Sequence, residues 1–181
     1  TASTGIAATH INGTTIHSFL GVRDDSPLTL DDQMDIMNSS WTVKRLNSSD
    51  ILIIDEVSML SDQMIENIDI ILKRGRGNGM LFGGMQVIFV GDFFQLPPVK
   101  APYAFKSPVW QTAELNICYL DKVYRQTDPV FIDLLQGMRN GVLTDAQMDI
   151  LKSRYREDVS GENCLRLETR NKNVDLFNEK R

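Results

Sequence analysis

The chain has 181 residues, 42% hydrophobic and 24% charged, which suits one globular domain with a substantial core, or one domain and a piece of the next, and argues against disorder. Its formal net charge of -5 gives no global attraction to nucleic acid, so any such contact must come from local donors. Cys118 and Cys164 stand far apart without CxxC spacing, which points away from a disulfide framework or zinc site; no stretch approaches the roughly 18 apolar residues of a membrane span, and Thr1 to Gly5 lacks the regions of a signal peptide. The expectation is an intracellular protein with no membrane partner.

Thr1 to Ala8 reads as a strand end, a Ser-Thr-Gly turn and a helix start, followed by a small turn at Asn12-Gly13. Opening inside such a transition, and without Met, the chain is expected to have lost its true beginning. Asp24-Asp25 and Asp31-Asp32, among Ser and Pro, make the stretch from Gly21 to Asp35 an expected exposed connection. A loosely helical pattern spans Met34 to Leu46, and Ile51-Leu52-Ile53-Ile54 is a strand with the unbroken apolar character needed for burial on both faces of a parallel sheet. Ser61 or Asp62 caps a helix with one stripe of Met64, Ile65, Ile68, Ile71 and Leu72, which Gly75 to Gly79 breaks. Lys73, Arg74 and Arg76 read as a solvated basic helix end. Met85 to Val90 is the next strand, Pro97-Pro98 stops regular structure, and Ile117 to Leu120 is a further short strand. Pro129 opens a helix to about Met138, with Phe131, Leu134, Leu135 and Met138 on one face, and Thr144 or Asp145 caps another to about Tyr155. After a polar turn from Asp158 to Asn163, Leu165-Arg166-Leu167 is a candidate strand and Asn171 to Arg181 a candidate helix.

The chemistry lies where two strands end. Parallel sheets place their sites just beyond the carboxyl ends of strands, and there stand Asp55-Glu56 and Gly91-Asp92-Phe93-Phe94-Gln95-Leu96-Pro97-Pro98. In P-loop NTPases the first carboxylate of such a pair helps hold Mg²⁺, and a neighbouring one orients or deprotonates the attacking water. No G-x-x-x-x-G-K-[ST] phosphate loop occurs in these 181 residues.

Four separated segments then occur in the order of one family. Thr1-Ala2-Ser3-Thr4-Gly5-Ile6-Ala7-Ala8 comes with Thr15-Ile16-His17-Ser18-Phe19, followed by Ile54-Asp55-Glu56-Val57-Ser58-Met59. Gly83-Gly84-Met85-Gln86 leads through Gly91 to Val99, and Val123-Tyr124-Arg125-Gln126 comes with Phe131 to Arg139. Together they resemble the PIF (petite integration frequency) DNA helicases, RecD-like motors of helicase superfamily one.

The resemblance implies an α/β fold, a RecA-like parallel sheet flanked by helices of the P-loop NTPase type, incomplete at the N-terminus. Residues 1–157 would be a partial first motor domain with its C-terminal helices, and 158–181 the start of a second. It implies Mg²⁺ bound through Asp55, water polarised by Glu56, the γ-phosphate of ATP touched by Gln95, and charge stabilisation by Arg125. Asp92 is expected to order the loop after its strand. Ser3, Thr4 and Gly5 would contact a DNA phosphate, and His17, Ser18 and Phe19 would form a second strand-contacting patch.

Each residue also has a plainer reading. Asp55 and Glu56 could be strand-end acids, Gln95 a loop amide, Arg125 a salt-bridged surface cation, His17 a satisfied helix-end histidine and Phe19 a core residue. The implied parent couples ATP hydrolysis to 5′-to-3′ movement on single-stranded DNA and to unwinding at duplex junctions, in repair, recombination and telomere or genome maintenance. This chain alone is expected to be inactive. A catalytically dead DNA-binding relative and a P-loop NTPase that does not act on nucleic acid are the alternatives.

Overall fold

Four aliphatic residues, Ile51–Ile54, form β1, and Gln86–Phe89 form β2; they run parallel, in register from Ile51 opposite Gln86 to Ile54 opposite Phe89. Parallel neighbours need a crossover, and here it carries α5, Asp62–Arg76. Ser61 starts this helix by accepting the Met64 N–H at 3.0 Å, and Gly77 ends it in the left-handed conformation. The stripe residues Met64, Ile65, Ile68, Ile71 and Leu72 are completely buried, each stabilising the fold by about 1.5–3 kcal/mol relative to exposure.

The sheet continues as single bridges beyond β1. Ala2 pairs in parallel with Asp55 and with Thr15, and hydrogen bonds from Asp55 N–H to Thr1 O (3.0 Å) and from Ser3 N–H to Asp55 O (3.1 Å) fix the first junction. Backbone groups alternate sides along a strand, so Ala2 lies on the flank of β1 opposite β2. The parallel order is Thr15, Ala2, β1, β2. Around it are α1 (Gly5–His10), α2 (Ile16–Leu20), α3 (Leu30–Asn38), α4 (Ser40–Ser48) and α6 (Pro108–Thr112).

The computed structural model describes residues 1–155 and 167–179, in two compact units, Thr1–Leu120 and Asp121–Arg181. In the second, Asp128 accepts the N–H groups of Val130 and Phe131 to start α7, Pro129–Asn140, which ends at left-handed Gly141. Thr144 and Gln147 form a reciprocal capping box on α8, Asp145–Arg154, and α9 spans Asn171–Asn178. The sequence-based domain limit at 157/158, the polar turn 158–163, Cys164 and the first two residues of the 165–167 strand lie outside the described residues. Among the described residues, α7 and α8 group with the second unit and not with the first.

Several expectations are corrected. β1 is buried on one face only: Leu52 and Ile54 join the cluster holding the α5 stripe, while Ile51 and Ile53 are about half exposed (51% and 48%). The supposed connection through Asp35 is helical from Leu30, because Thr29 and Asp32 form a capping box. Two helices, separated at Ser39, replace the single pattern from Met34 to Leu46. Gly75 lies inside α5, and Arg76 is no solvated charge: its guanidinium donates to the carbonyls of Leu46 (2.7 Å), Ser49 (2.8 Å) and Gly83 (3.0 Å). Lys73 pairs with Asp69 at 2.7 Å. Ile117 to Leu120 is not a strand; Ile117, Tyr119 and Leu120 are exposed and pair with no strand among the described residues.

Candidate functional site

Ser3 and Asp55 each follow a parallel-paired residue and Gly91 follows Val90, whose N–H bonds Ile54 O at 2.9 Å, so the segments they begin leave the sheet at one edge. Asp55 is half-buried, and its Oδ1 accepts the Glu56 N–H at 2.8 Å. Glu56 adopts a left-handed backbone, φ 55° and ψ 43°. For a residue with a Cβ this costs on the order of 1–2 kcal/mol and needs support from its surroundings. That support is a bond at each end: the Asp55 carboxylate holds the Glu56 N–H, while Glu56 O accepts Met59 N–H at 3.1 Å. The next residue is tied down as well, with Val57 N–H bonded to Val90 O at 3.0 Å.

That last bond brings the two strand ends together, and Gly91 makes the approach possible. A Cβ at Gly91 would lie 2.9 Å from Val57 N and 3.1 Å from Val57 Cγ1. Beyond it, Asp92 organises a tight turn as the sequence suggests: its carboxylate accepts Phe94 N–H at 3.0 Å and its carbonyl accepts Gln95 N–H at 2.9 Å. Gln95 is exposed on this turn. The structure thus gathers Asp55, Glu56 and the Asp92 to Gln95 turn at one edge. Arg125 belongs to the second unit, exposed in the segment before α7.

The strand-contacting candidates divide. Thr4 caps α1, its Oγ1 accepting Ala7 N–H at 3.2 Å, and a Cβ at exposed Gly5 would meet nothing within 4 Å. Ser3 Oγ is buried without a hydrogen-bond partner. Ser18 is exposed, and its carbonyl accepts from Arg45 at 3.0 Å. Phe19 is only 9% exposed and sits in the main hydrophobic cluster, with the Arg45 guanidinium 5.3 Å from its ring centroid. Its ring is therefore a core element with a cation on it, and a base cannot stack there as the residue stands.

His17 is bound to a residue that the sequence hid in a loop. Its Nε2 lies 2.6 Å from Asp25 Oδ1, and Asp25 Oδ2 accepts the Ser61 hydroxyl, also at 2.6 Å. Partial burial pushes the Asp25 carboxyl up, but the bonds from His17 and Ser61 outweigh it and hold it below the usual carboxylate range. No local signal separates Asp25 from its neighbour Asp24, whose carboxylate bonds along its own loop, accepting from Ser26 N–H.

Two adjacent carboxylates at this edge, with one Asp55 oxygen already accepting from backbone, suit a Mg²⁺ that keeps several waters and takes only one or two protein ligands. The described residues contain no group of three or more candidate metal ligands, so an all-protein cage is not what they offer.

A parallel sheet with acids and an amide at its carboxyl edge is an α/β domain with its polar groups where such sheets bind their ligands. Residues 1–149 match the PIF1-like helicase family, and the chain belongs to it. It is 40% identical over 195 residues to the ATP-dependent DNA helicase Pif1 of Psychrobacter sp. (strain PRwf-1), a match covering 99% of this chain and 29% of that protein. Its structure resembles the Pif1 helicase from Bacteroides in complex with ADP-AlF3 and ssDNA (TM-score 0.87, 32% identity), over 99% of this chain and 45% of that one. It also resembles the Pif1 helicase from Candida albicans (TM-score 0.84, 31% identity, 99% and 42% covered). The RecA-like fold implied by the motifs is the fold found. The chain spans under a third of the length of the curated relative.

Proposed function

We propose that this chain carries part of the first RecA-like motor domain, and the start of the second, of an ATP-dependent DNA helicase, one that couples ATP hydrolysis to 5′-to-3′ movement on single-stranded DNA and to opening of duplex junctions. The observation that carries the reading is the convergence of the Ser3 to Gly5 turn, Asp55-Glu56 and the Asp92 to Gln95 turn on one edge of one parallel sheet. Membership of the family and the nucleotide and single strand bound by the Bacteroides relative support it. Repair, recombination and telomere or genome maintenance are the processes in which such a motor would act.

Asp55, Glu56, Gln95 and Arg125 take the nucleotide roles. Asp55 would hold Mg²⁺, which supplies charge neutralisation on the phosphates. Glu56 accepts the proton of the attacking water, its position fixed by the strained backbone. Gln95, on an ordered turn and exposed, has an amide that donates to a phosphate oxygen while accepting from water. Arg125 contributes a permanent charge toward the transferred phosphoryl group. On the DNA side, Ser3, Thr4 and Gly5 offer backbone groups, and His17 and Ser18 an imidazole edge and an exposed hydroxyl, to the sugar-phosphate chain, and Phe19 supports that surface from beneath.

The test is Glu56→Gln in the full-length protein that contains this chain. ATP turnover should fall about 10²–10⁴-fold, the usual contribution of a general base, with single-strand affinity retained. Unchanged turnover would overturn the assignment, and failure of single-stranded DNA to stimulate the wild type would favour an NTPase that does not act on nucleic acid. The 181 residues alone, which contain no lysine phosphate loop, are expected to hydrolyse no ATP.

A further inference from the structure

We propose that Asp25 is a positioning residue that ties the DNA-facing segment to the hydrolysis loops, an inference that rests on the functional reading above. Two stretches of chain bond its carboxylate, and a third is pinned to the second beside it. The first is α2, through His17 Nε2–H donating to Oδ1; the second is the segment leading from Glu56 through Val57 to Met59 into Ser61, whose hydroxyl donates to Oδ2. The third arrives from the Gln95 turn: Tyr103 pairs antiparallel with Ser61, and Asp62 N–H donates to Pro102 O at 3.2 Å. Ser61 is 2% exposed and also caps α5, so its hydroxyl both donates to Asp25 and accepts from Met64 N–H.

The same stretches wall a cavity of about 380 Å³, lined among others by Ser3, His17, Asp25, Leu60 and Val99. Ser3 belongs to the DNA-facing turn and Val99 to the loop beyond Gln95. The carboxylate therefore stands where the two proposed binding surfaces share a wall, and it holds them with two short, charge-assisted bonds. A shift of α2 when a strand binds would be carried through two bonds to the residue that ends the Glu56 loop. Contiguous hydrogen-bonded connections of this kind are one means by which energetic coupling passes between sites. Asp25 touches neither nucleotide nor reacting water in this scheme; it acts through His17 and Ser61.

The experiment uses the full-length protein with Asp25→Asn and Asp25→Glu, measuring ATP turnover with and without a single-stranded oligothymidylate, and thermal melting. In the Asn variant the unstimulated turnover and its KM for ATP should stay within about twofold. The DNA-stimulated increment should fall on the order of 10-fold, within the range typical of coupling between sites. The Glu variant, which keeps both acceptor oxygens and the charge, should recover part of the increment. Unaltered stimulation, or stimulated and unstimulated rates falling in proportion, would overturn the proposal in favour of a purely structural link. If the Asn variant melts below the assay temperature, Ser61→Ala breaks the bridge from its other end and carries the same two expectations. A wild type without DNA stimulation would instead defeat the functional reading itself.

Discussion

Helices α5 and α7 carry the same kind of apolar stripe, yet they end in different environments. Met64, Ile65, Ile68, Ile71 and Leu72 are all completely buried, whereas of Phe131, Leu134, Leu135 and Met138 only Leu134 is buried, at 4% exposure. Periodicity declares a face; it does not supply the surface that covers it. In the first unit β1, α4 and the turn at Leu81–Gly84 meet α5. In the second, α8 reaches α7 through polar contacts, with Gln147 donating to the Asp133 carboxylate (2.7 Å) and carbonyl (3.2 Å).

Mutations can break or sharpen this contrast. Ile68→Ala should have the largest effect, a loss of about 2–5 kcal/mol in chemical denaturation, because no neighbouring side chain can leave the packed core to fill the space. Leu134→Ala should cost near the lower end of that range, about 2 kcal/mol. Met138→Ala, on the half-exposed part of the same helix, should stay within about 0.5 kcal/mol. A comparable loss at Met138 and Ile68 would erase the distinction between the two faces.

The carboxyl edge of the sheet follows another rule, in which stability is given up locally at Glu56. Glu56→Gly should raise stability by about 0.5–1 kcal/mol, the left-handed cost of about 1–2 kcal/mol less the extra chain entropy of glycine, while ATP turnover in the full-length protein collapses. A destabilised Gly variant would mean that the Glu56 side chain holds the loop.

A subtler effect concerns acid. Asp25 has a folded pKa below its unfolded value, so the stability it contributes is fully present above the ordinary carboxyl value of about 3.9 and is lost as pH falls through the lowered folded value. The unfolding free-energy difference between wild type and Asp25→Asn should therefore shrink from about pH 6 to about pH 3. A difference independent of pH would mean that the charge is not what makes the bridge.

Much of the site's outline was legible because it is local. An unbroken aliphatic run followed by two acids can be read as a strand ending at the carboxyl edge of a sheet, and Ser61, Thr144 and Gly141 stood where helix ends need a hydroxyl or a left-handed residue. Asp92 could be assigned its turn for the same reason. Ile117 to Leu120 failed because β-propensity over four residues is outweighed when no partner strand is present among the described residues, and Arg76 failed because its acceptors lie 7, 27 and 30 residues away.

The sequence by itself determined β1, β2, α5, α7 and α8 with their starting caps, the family and the identity of the acids at the strand ends, since each depends on neighbours a few residues apart. The tertiary structure alone decided that Phe19 turns into the core, that Glu56 is forced into a left-handed backbone and that Asp25 joins His17 to Ser61, 36 residues further along. Those outcomes depend on which distant segments share a wall, and that follows from packing the α5 stripe against one face of the sheet.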